Sequence, residues 1–165
     1  MLTPDLHVAC ATDVSVAWLR ERGVRGLLID ADDTLVVRDG PPLEDTLAWL
    51  DAVRAAGIAV ALLSNGSRGR VAELGASLGV PAFALSGKPF GFAFRRGLRA
   101  LGTDAASTAM IGDQLFTDVL GANCAGLTSV LVTPLSPGRH AHTRAARRLE
   151  RWVLAGGERG RPLDR

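Results

Sequence analysis

The chain has 165 residues, 47% of them hydrophobic and 22% charged, with a formal net charge of +2. That size and balance fit one globular domain with a buried core and exclude a disordered chain. The longest unbroken apolar run, Ile58–Leu63, is far too short to cross a bilayer.

Strand-like and helix-like segments then alternate with short breaks. This pattern predicts a doubly wound, Rossmann-like parallel α/β sheet of about five strands with helices on both faces. Val14 to Arg22 reads as a helix, with Asp13 as its cap and Gly23 closing it. Gly26 to Ile29 is apolar throughout, as expected of a central strand covered on both faces. Thr34 to Pro42 is irregular, with D-G-P-P marking turns. Leu43 to Ala56 follows as a helix, with Leu43, Leu47, Leu50 and Val53 on one face. Ile58 to Leu63 is the second strand, S-N-G-S a turn, and Arg68 to Leu78 a helix. A short strand Ala82–Ala84, a helix Phe90–Leu101, a strand Thr108–Ile111, a helix Leu115–Cys124 and a strand Ser129–Val132 complete the alternation. Residues 1–137 form the expected core, 138–155 hold an amphipathic basic helix, and 156–165 read as a disordered tail.

In an open parallel sheet, ligands bind beyond the carboxyl ends of the strands. The polar residues fall there. Asp30 follows G-L-L-I, Ser64 follows A-V-A-L-L, Asp113 follows A-M-I-G, and Lys88 lies in the loop after the Ala82 strand. Asp118 begins the next helix and can face the same crevice. Asp30, Asp32 and Asp33 crowd three carboxylates into four residues. Each like-charge pair costs about 4 kcal/mol at roughly 4 Å and an effective dielectric near 20. Either this is a solvated acidic turn, or a cation or a chemical step requires the cluster.

The chemistry converges on phosphoryl transfer. Asp30, Asp32 and Asp113 offer hard oxygen ligands suited to Mg²⁺, and no His is placed to join them. Ser64, with the backbone N–H groups of Asn65 and Gly66 at a helix start, can hold phosphate oxygens; otherwise it is a plain helix cap. Asp118 is otherwise a solvated first-turn acid. Lys88 is the single Lys beside eighteen Arg, which marks a position needing a compact point charge unless it is an accident of composition.

These residues resemble the motifs of the haloacid dehalogenase-like (HAD) superfamily of aspartate-nucleophile phosphatases. D-A-D-D-T at 30–34 matches D-x-D-x-T, S-N-G-S supplies the Ser, G-K-P the Lys, and G-D-Q-L-F-T-D the paired acids. L-T-P-D-L-H-V, I-G-D-Q-L-F-T-D-V-L-G-A-N and the R-R-L-E-R ending are similar to the YqeG family of subclass IIIA. The resemblance implies that Asp30 is a nucleophile and Asp32 a general acid, then a base for water. It implies Mg²⁺ on Asp30, Asp113 and the main-chain carbonyl of Asp32, with Thr34 and Asp118 in support and Ser64 and Lys88 gripping the phosphoryl group. Neither the ten or so residues after Thr34 nor the stretch between Ser64 and Lys88 has room for a cap domain, so the site is expected to be uncapped, open to large substrates or closed by a second subunit. The family's mitochondrial relatives act on phosphatidylglycerophosphate, a lipid phosphate; a soluble sugar or nucleotide monophosphate is the alternative substrate. The rival from another class is a low-turnover accessory of a GTPase or of ribosome assembly on the same scaffold. Two residues depart from the pattern. Ala31 stands where Leu is common, and Asp33 stands where Asn or Gly is usual, an extra charge expected beside the metal.

The basic character is a property of the ending: residues 138–165 carry +5 and residues 1–137 carry −3. From Thr143 to Leu154, Ala145, Leu149, Trp152 and Val153 share a face while Arg144, Arg147, Arg148 and Arg151 cover the others. Such a helix docks on the body, attaches to anionic lipid or contacts RNA, and no nucleic-acid motif supports the last. M-L-T-P-D-L-H-V lacks the order of a secretory signal, and Cys10 and Cys124 have neither metal nor redox spacing and read as small buried residues. A cytoplasmic location follows as the expectation, with peripheral membrane contact through the basic helix.

Overall fold

A computed structural model of the chain describes residues 1–37 and 40–136. The expected basic helix at 138–155 and the tail beyond it lie outside the described residues.

Six parallel strands form one sheet in the order β1-β6-β5-β2-β3-β4. They are β1 (Leu6–Val8), β2 (Gly26–Ile29), β3 (Ala59–Leu63), β4 (Ala82–Phe83), β5 (Thr108–Gly112) and β6 (Thr128–Val132). The helices are α1 (Val16–Glu21), α2 (Thr46–Ala55), α3 (Arg68–Leu78), α4 (Gly91–Leu101) and α5 (Leu120–Ala125). The apolar strands are explained by their two covered faces. On β2, Leu27 and Ile29 join Leu19 of α1, Leu50 and Val53 of α2 and Leu78 of α3. Leu28, one residue out of phase, packs instead with Phe94 of α4 and Ala122 of α5. Each such fully buried aliphatic side chain contributes about 1.5–3 kcal/mol of transfer free energy.

The expectation of about five strands misses β1. Its three residues are too short to show a period, and its edge position leaves His7 exposed. It is held by pairing with β6 and by Asp5, whose Oδ2 accepts the Ser129 N–H at 2.8 Å. Three other expectations change. Ser15, not Asp13, caps α1, its hydroxyl accepting the Trp18 N–H at 3.1 Å, while Asp13 accepts from Cys10 N. On α2 the buried stripe is Thr46, Trp49, Leu50 and Val53, and Leu47 is exposed. Trp49 wins this face because its indole N–H reaches the Val14 carbonyl at 2.8 Å. The two cysteines are not buried: Cys10 is half-buried and Cys124 exposed.

Candidate active site

Strands β5, β2, β3 and β4 lie side by side, so their carboxyl ends open on one crevice. Asp30 follows β2, Ser64 follows β3 and Asp113 follows β5, while Lys88 stands five residues beyond β4. The ladder extends past the strands into the site. Asp30 N donates to Ile111 O at 2.9 Å, and Ser86 N to Ser64 O at 3.0 Å.

Lys88 is the centre. Its Nζ lies 2.6 Å from Asp30 Oδ1 and 2.7 Å from Asp118 Oδ1, and all three side chains are buried. Burial alone would lower the lysine's pKa, but the charges of Asp118 and then Asp30 raise it above its ordinary value. Asp118 is therefore no solvated first-turn acid. Burial pushes its pKa up, opposed by Lys88 and reinforced by Asp30, to about 6.

Asp118 reaches the crevice through local backbone geometry. Residues Leu115–Val119 form a π-helical turn rather than the first turn of an α-helix. The widened turn brings the Asp118 carboxylate back to accept the Gln114 N–H at 3.0 Å. Gly112 is required beneath it, since a Cβ there would overlap the Asp118 carboxylate.

Carboxylate oxygens of Asp30, Asp113 and Asp118 all lie within 4.8 Å of one another. Three buried carboxylates with one ammonium, and no His or Cys among them, form a hard, electron-rich donor set that fits Mg²⁺. The side chain of Asp32 lies elsewhere. It is partly exposed and ion-paired with Arg70 Nη2, from the first turn of α3. Sequence reasoning missed Arg70, one Arg among eighteen with nothing to single it out. A cavity of about 460 Å³ opens beside this pair, lined by Ala31, Val36, Pro42, Arg70, Val71 and Leu74.

Ser64 does not cap α3, whose N-cap position is Ser67. Its Oγ accepts the Gly66 N–H at 3.1 Å, which leaves the hydroxyl hydrogen to donate elsewhere. Gly66 also lies close under Asp32, where a Cβ would come 3.1 Å from Oδ2. Asn65 has a role the sequence did not reveal. Its Oδ1 accepts from Ser86 Oγ at 2.9 Å and from the N–H groups of Gly87 and Lys88 at 3.0 Å. Its Nδ2 donates to the Lys88 carbonyl at 3.0 Å. One amide thus shapes the lysine loop. Thr34 is fully buried, and its hydroxyl has no hydrogen-bond partner among the described residues.

Asp33 is not a member of the group formed by the Asp30, Asp113 and Asp118 carboxylates. Its backbone is left-handed (φ 59°), which is why Asn or Gly suits the position, and its carboxylate accepts the Ser136 hydroxyl. Leu135 N also donates to Asp33 O at 3.0 Å, so this residue anchors the segment after β6.

The family model described as HAD-hydrolase-like matches residues 85–153. The chain is 36% identical over 153 residues to the Probable phosphatase YqeG of Bacillus subtilis, covering 92% of this chain and 89% of that one. It is 31% identical to a chloroplastic phosphatidylglycerophosphate phosphatase 1 of Chlamydomonas reinhardtii, over 90% of this chain and 60% of that longer protein. Among solved structures, the cobalt-bound deoxy-D-mannose-octulosonate 8-phosphate phosphatase YrbI of Haemophilus influenzae matches with a TM-score of 0.56. That match covers 81% of this chain and 89% of that one, and at 20% identity it supports the fold alone. The parallel sheet, the acidic crevice around one lysine and the likeness along nearly the whole of YqeG agree: the chain is a phosphatase of the HAD superfamily and belongs to the YqeG family.

Proposed function

We propose that the chain is a Mg²⁺-dependent phosphomonoesterase that works through a phosphoryl-aspartate on Asp30, and that its substrate is a lipid phosphate, most simply phosphatidylglycerophosphate. One observation carries the reaction: a buried ammonium bridges Asp30 and Asp118 beside Asp113. Lys88 holds Asp30 Oδ1 at 2.6 Å and so fixes the carboxylate's orientation toward the crevice. An Asp30 oxygen attacks phosphorus, the bond to the leaving oxygen breaks, and Asp32 gives that oxygen a proton. Asp32, now a carboxylate, takes a proton from water, which attacks phosphorus and releases phosphate and free Asp30. Asp32 stands apart from the three grouped carboxylates at the partly exposed mouth, and its pair with Arg70 favours the carboxylate form that takes a proton from water. Ser64, Lys88 and the main-chain N–H of Asn65 would hold the phosphoryl oxygens, the Gly66 N–H being engaged by Ser64 Oγ. Asp30, Asp113 and the main-chain carbonyl of Asp32 would bind Mg²⁺, with Asp118 and Thr34 in support. The ion supplies charge neutralisation for the phosphoryl oxygens.

The lipid substrate is supported by the names of two relatives, phosphatidylglycerophosphate phosphatases of Chlamydomonas reinhardtii and Arabidopsis thaliana, of which this chain spans 60% and 48%. The test is hydrolysis of an aryl phosphate with Mg²⁺ or EDTA, by the wild type and Asp30→Asn. The variant should lose at least about a thousandfold, about 4 kcal/mol of transition-state stabilisation. Equal rates would refute the mechanism. Turnover of phosphatidylglycerophosphate in mixed micelles should exceed that of sugar and nucleotide monophosphates; the reverse order would refute the lipid reading and leave the phosphatase one.

A further inference from the structure

The loop that carries Lys88 also carries the most exposed aromatic surface of the described residues. Leu85 is 58% exposed, Phe90 66% and Phe92 54%. The two phenyl rings stack at 6.0 Å with their planes 10° apart, and Phe92 lies over Gly87, where a Cβ would overlap its ring. Leu85 sits at the crevice's edge, its N–H donating to the Gly66 carbonyl at 3.1 Å. It is also held with φ 46°, a left-handed conformation that a branched apolar residue rarely adopts. Three large apolar side chains therefore stand in water around a buried catalytic lysine. None of them contributes to the core.

Charge surrounds this patch in a particular way. Residues 84–102 contain Lys88, Arg95, Arg96 and Arg99 and no acid, while residues 1–83 hold eleven acids against seven arginines. On α4, Phe92, Arg95, Arg96 and Arg99 are all exposed, at spacings of three, four and seven that keep them on one side of the helix. Arg95 Nη1 lies close to Gly91, between the two phenylalanines in sequence, and Arg96 lies over the Phe83 ring at 4.8 Å. The described residues are thus acidic overall, and a cationic stretch tipped by phenyl rings follows the loop of Lys88.

We propose that Leu85, Phe90 and Phe92, flanked by Arg95, Arg96 and Arg99, form a docking surface for a bilayer containing anionic phospholipid. Apolar tips enter the interface, guanidinium groups meet lipid phosphates, and the active-site mouth faces the bilayer. The choice of a lipid surface rests on complementarity: exposed phenyl rings flanked by guanidinium groups match acyl chains beneath anionic headgroups, and a two-fold contact between copies would set the same arginines against themselves. The surface is argued independently of the reaction; its consequence, turnover of a phosphate still anchored in its bilayer, rests on the function proposed above. Its residues are other than those of the Arg-rich ending, 138–165.

The experiment is co-sedimentation of the full chain with phosphatidylcholine vesicles, with and without 30% phosphatidylglycerol. The proteins are the wild type, Phe90→Ser/Phe92→Ser, Arg95→Gln/Arg99→Gln, and Arg147→Gln/Arg148→Gln/Arg151→Gln. Aryl phosphate turnover and size-exclusion elution are recorded for each. Binding should require the anionic lipid and weaken with salt. It should fall at least about tenfold in the first two variants, with aryl phosphate turnover within about twofold of wild type. Wild type failing to bind, or loss of binding only in the Arg147/Arg148/Arg151 variant, would overturn the proposal. So would dissociation of an oligomer by Phe90→Ser/Phe92→Ser with vesicle binding intact, which would make the patch a contact between copies. Patch-dependent binding without hydrolysis of the lipid phosphate would refute the proposed substrate while leaving the docking surface in place.

Discussion

Asp118→Asn isolates the electrostatics of the site from the rest of the fold. Asp118 is 1% exposed, with one oxygen 2.7 Å from Lys88 Nζ and the other accepting the Gln114 N–H at 3.0 Å. Burial, against the pull of Lys88 and with the push of Asp30, raises its pKa from 3.8 to about 6. In the unfolded chain it returns to its ordinary value. Below the unfolded pKa both states are protonated, and the contribution to stability is fully present. Between the two values the folded protein holds a proton that the unfolded chain has released, so stability falls as pH rises. Above about 6 both states are ionised and the contribution is gone. About two pKa units at 1.36 kcal/mol each give about 3 kcal/mol.

The Asn variant cannot titrate there. Its amide can also accept from only one of the two donors, which costs a pH-independent amount of about 1–3 kcal/mol. The stability difference, wild type minus variant, should therefore shrink between about pH 4 and pH 7, by an amount on the order of 3 kcal/mol, as the titrations of groups away from the Lys88–Asp30 contacts cancel. Urea unfolding in EDTA, followed by the fluorescence of Trp18 and Trp49, measures it. A difference that stays flat across that range, or grows with pH, would refute the description of Asp118 as a buried carboxyl held partly protonated.

Lys88→Arg should lower aryl phosphate turnover at least about tenfold, about 1.4 kcal/mol, because a longer planar group cannot occupy a point 2.6 Å from Asp30 and 2.7 Å from Asp118; wild-type rates would make the lone Lys an accident of composition. Asn65→Ala removes the acceptor of Ser86 Oγ, Gly87 N and Lys88 N. Its kcat/KM should fall at least about tenfold while the melting temperature drops by no more than about 4 °C, the effect of losing about 1 kcal/mol in a chain of 165 residues. Unchanged kcat/KM would show that the loop holds its shape without the amide. Asp33→Val should destabilise the fold by about 1–2 kcal/mol because a β-branched residue must take φ 59°, whereas Asp33→Asn should stay within about 0.5 kcal/mol of wild type. Thermal melts that rank the two variants equally would refute the backbone explanation.

Residues that act through their own position in the chain were legible from sequence. Asp30, Ser64 and Asp113 stand immediately after β2, β3 and β5, so an apolar run followed by a polar residue locates them. Residues that act by reaching across the fold left no such trace. Asn65 reads as part of a turn until β4 brings residues 86–88 against it, a contact between residues 21 to 23 apart. Arg70 lies on α3 at a spacing that any solvated helix face would allow, and only the return of α3 over the β2 loop places it on Asp32. Strand β1 is three residues long and gains its identity from β6, more than 120 residues away. The π-helical turn at 115–119 keeps helical periodicity in the sequence and differs in which carbonyls accept, Gln114 O taking the Val119 N–H at 3.3 Å and Leu115 O the Leu120 N–H.

The acidic cluster also explains why its neighbours are small or neutral. Three buried carboxylates within 4.8 Å repel strongly, and Lys88 alone cannot balance them. The Lys88 ammonium is held by Asp30 and Asp118, while the groups that shape its surroundings are uncharged: the Asn65 amide fixes its backbone, and Gly112 leaves the volume into which Asp118 turns to meet it. A charged residue at either position would compete for the ammonium or for a cation. Asp33 fits the same logic. Its carboxylate, the one charge that departs from the usual pattern, is turned to Ser136 and takes no place in the group formed by Asp30, Asp113 and Asp118. The departure from Asn or Gly is thus absorbed by the segment after β6, and the charge of the crevice is left to the residues that use it.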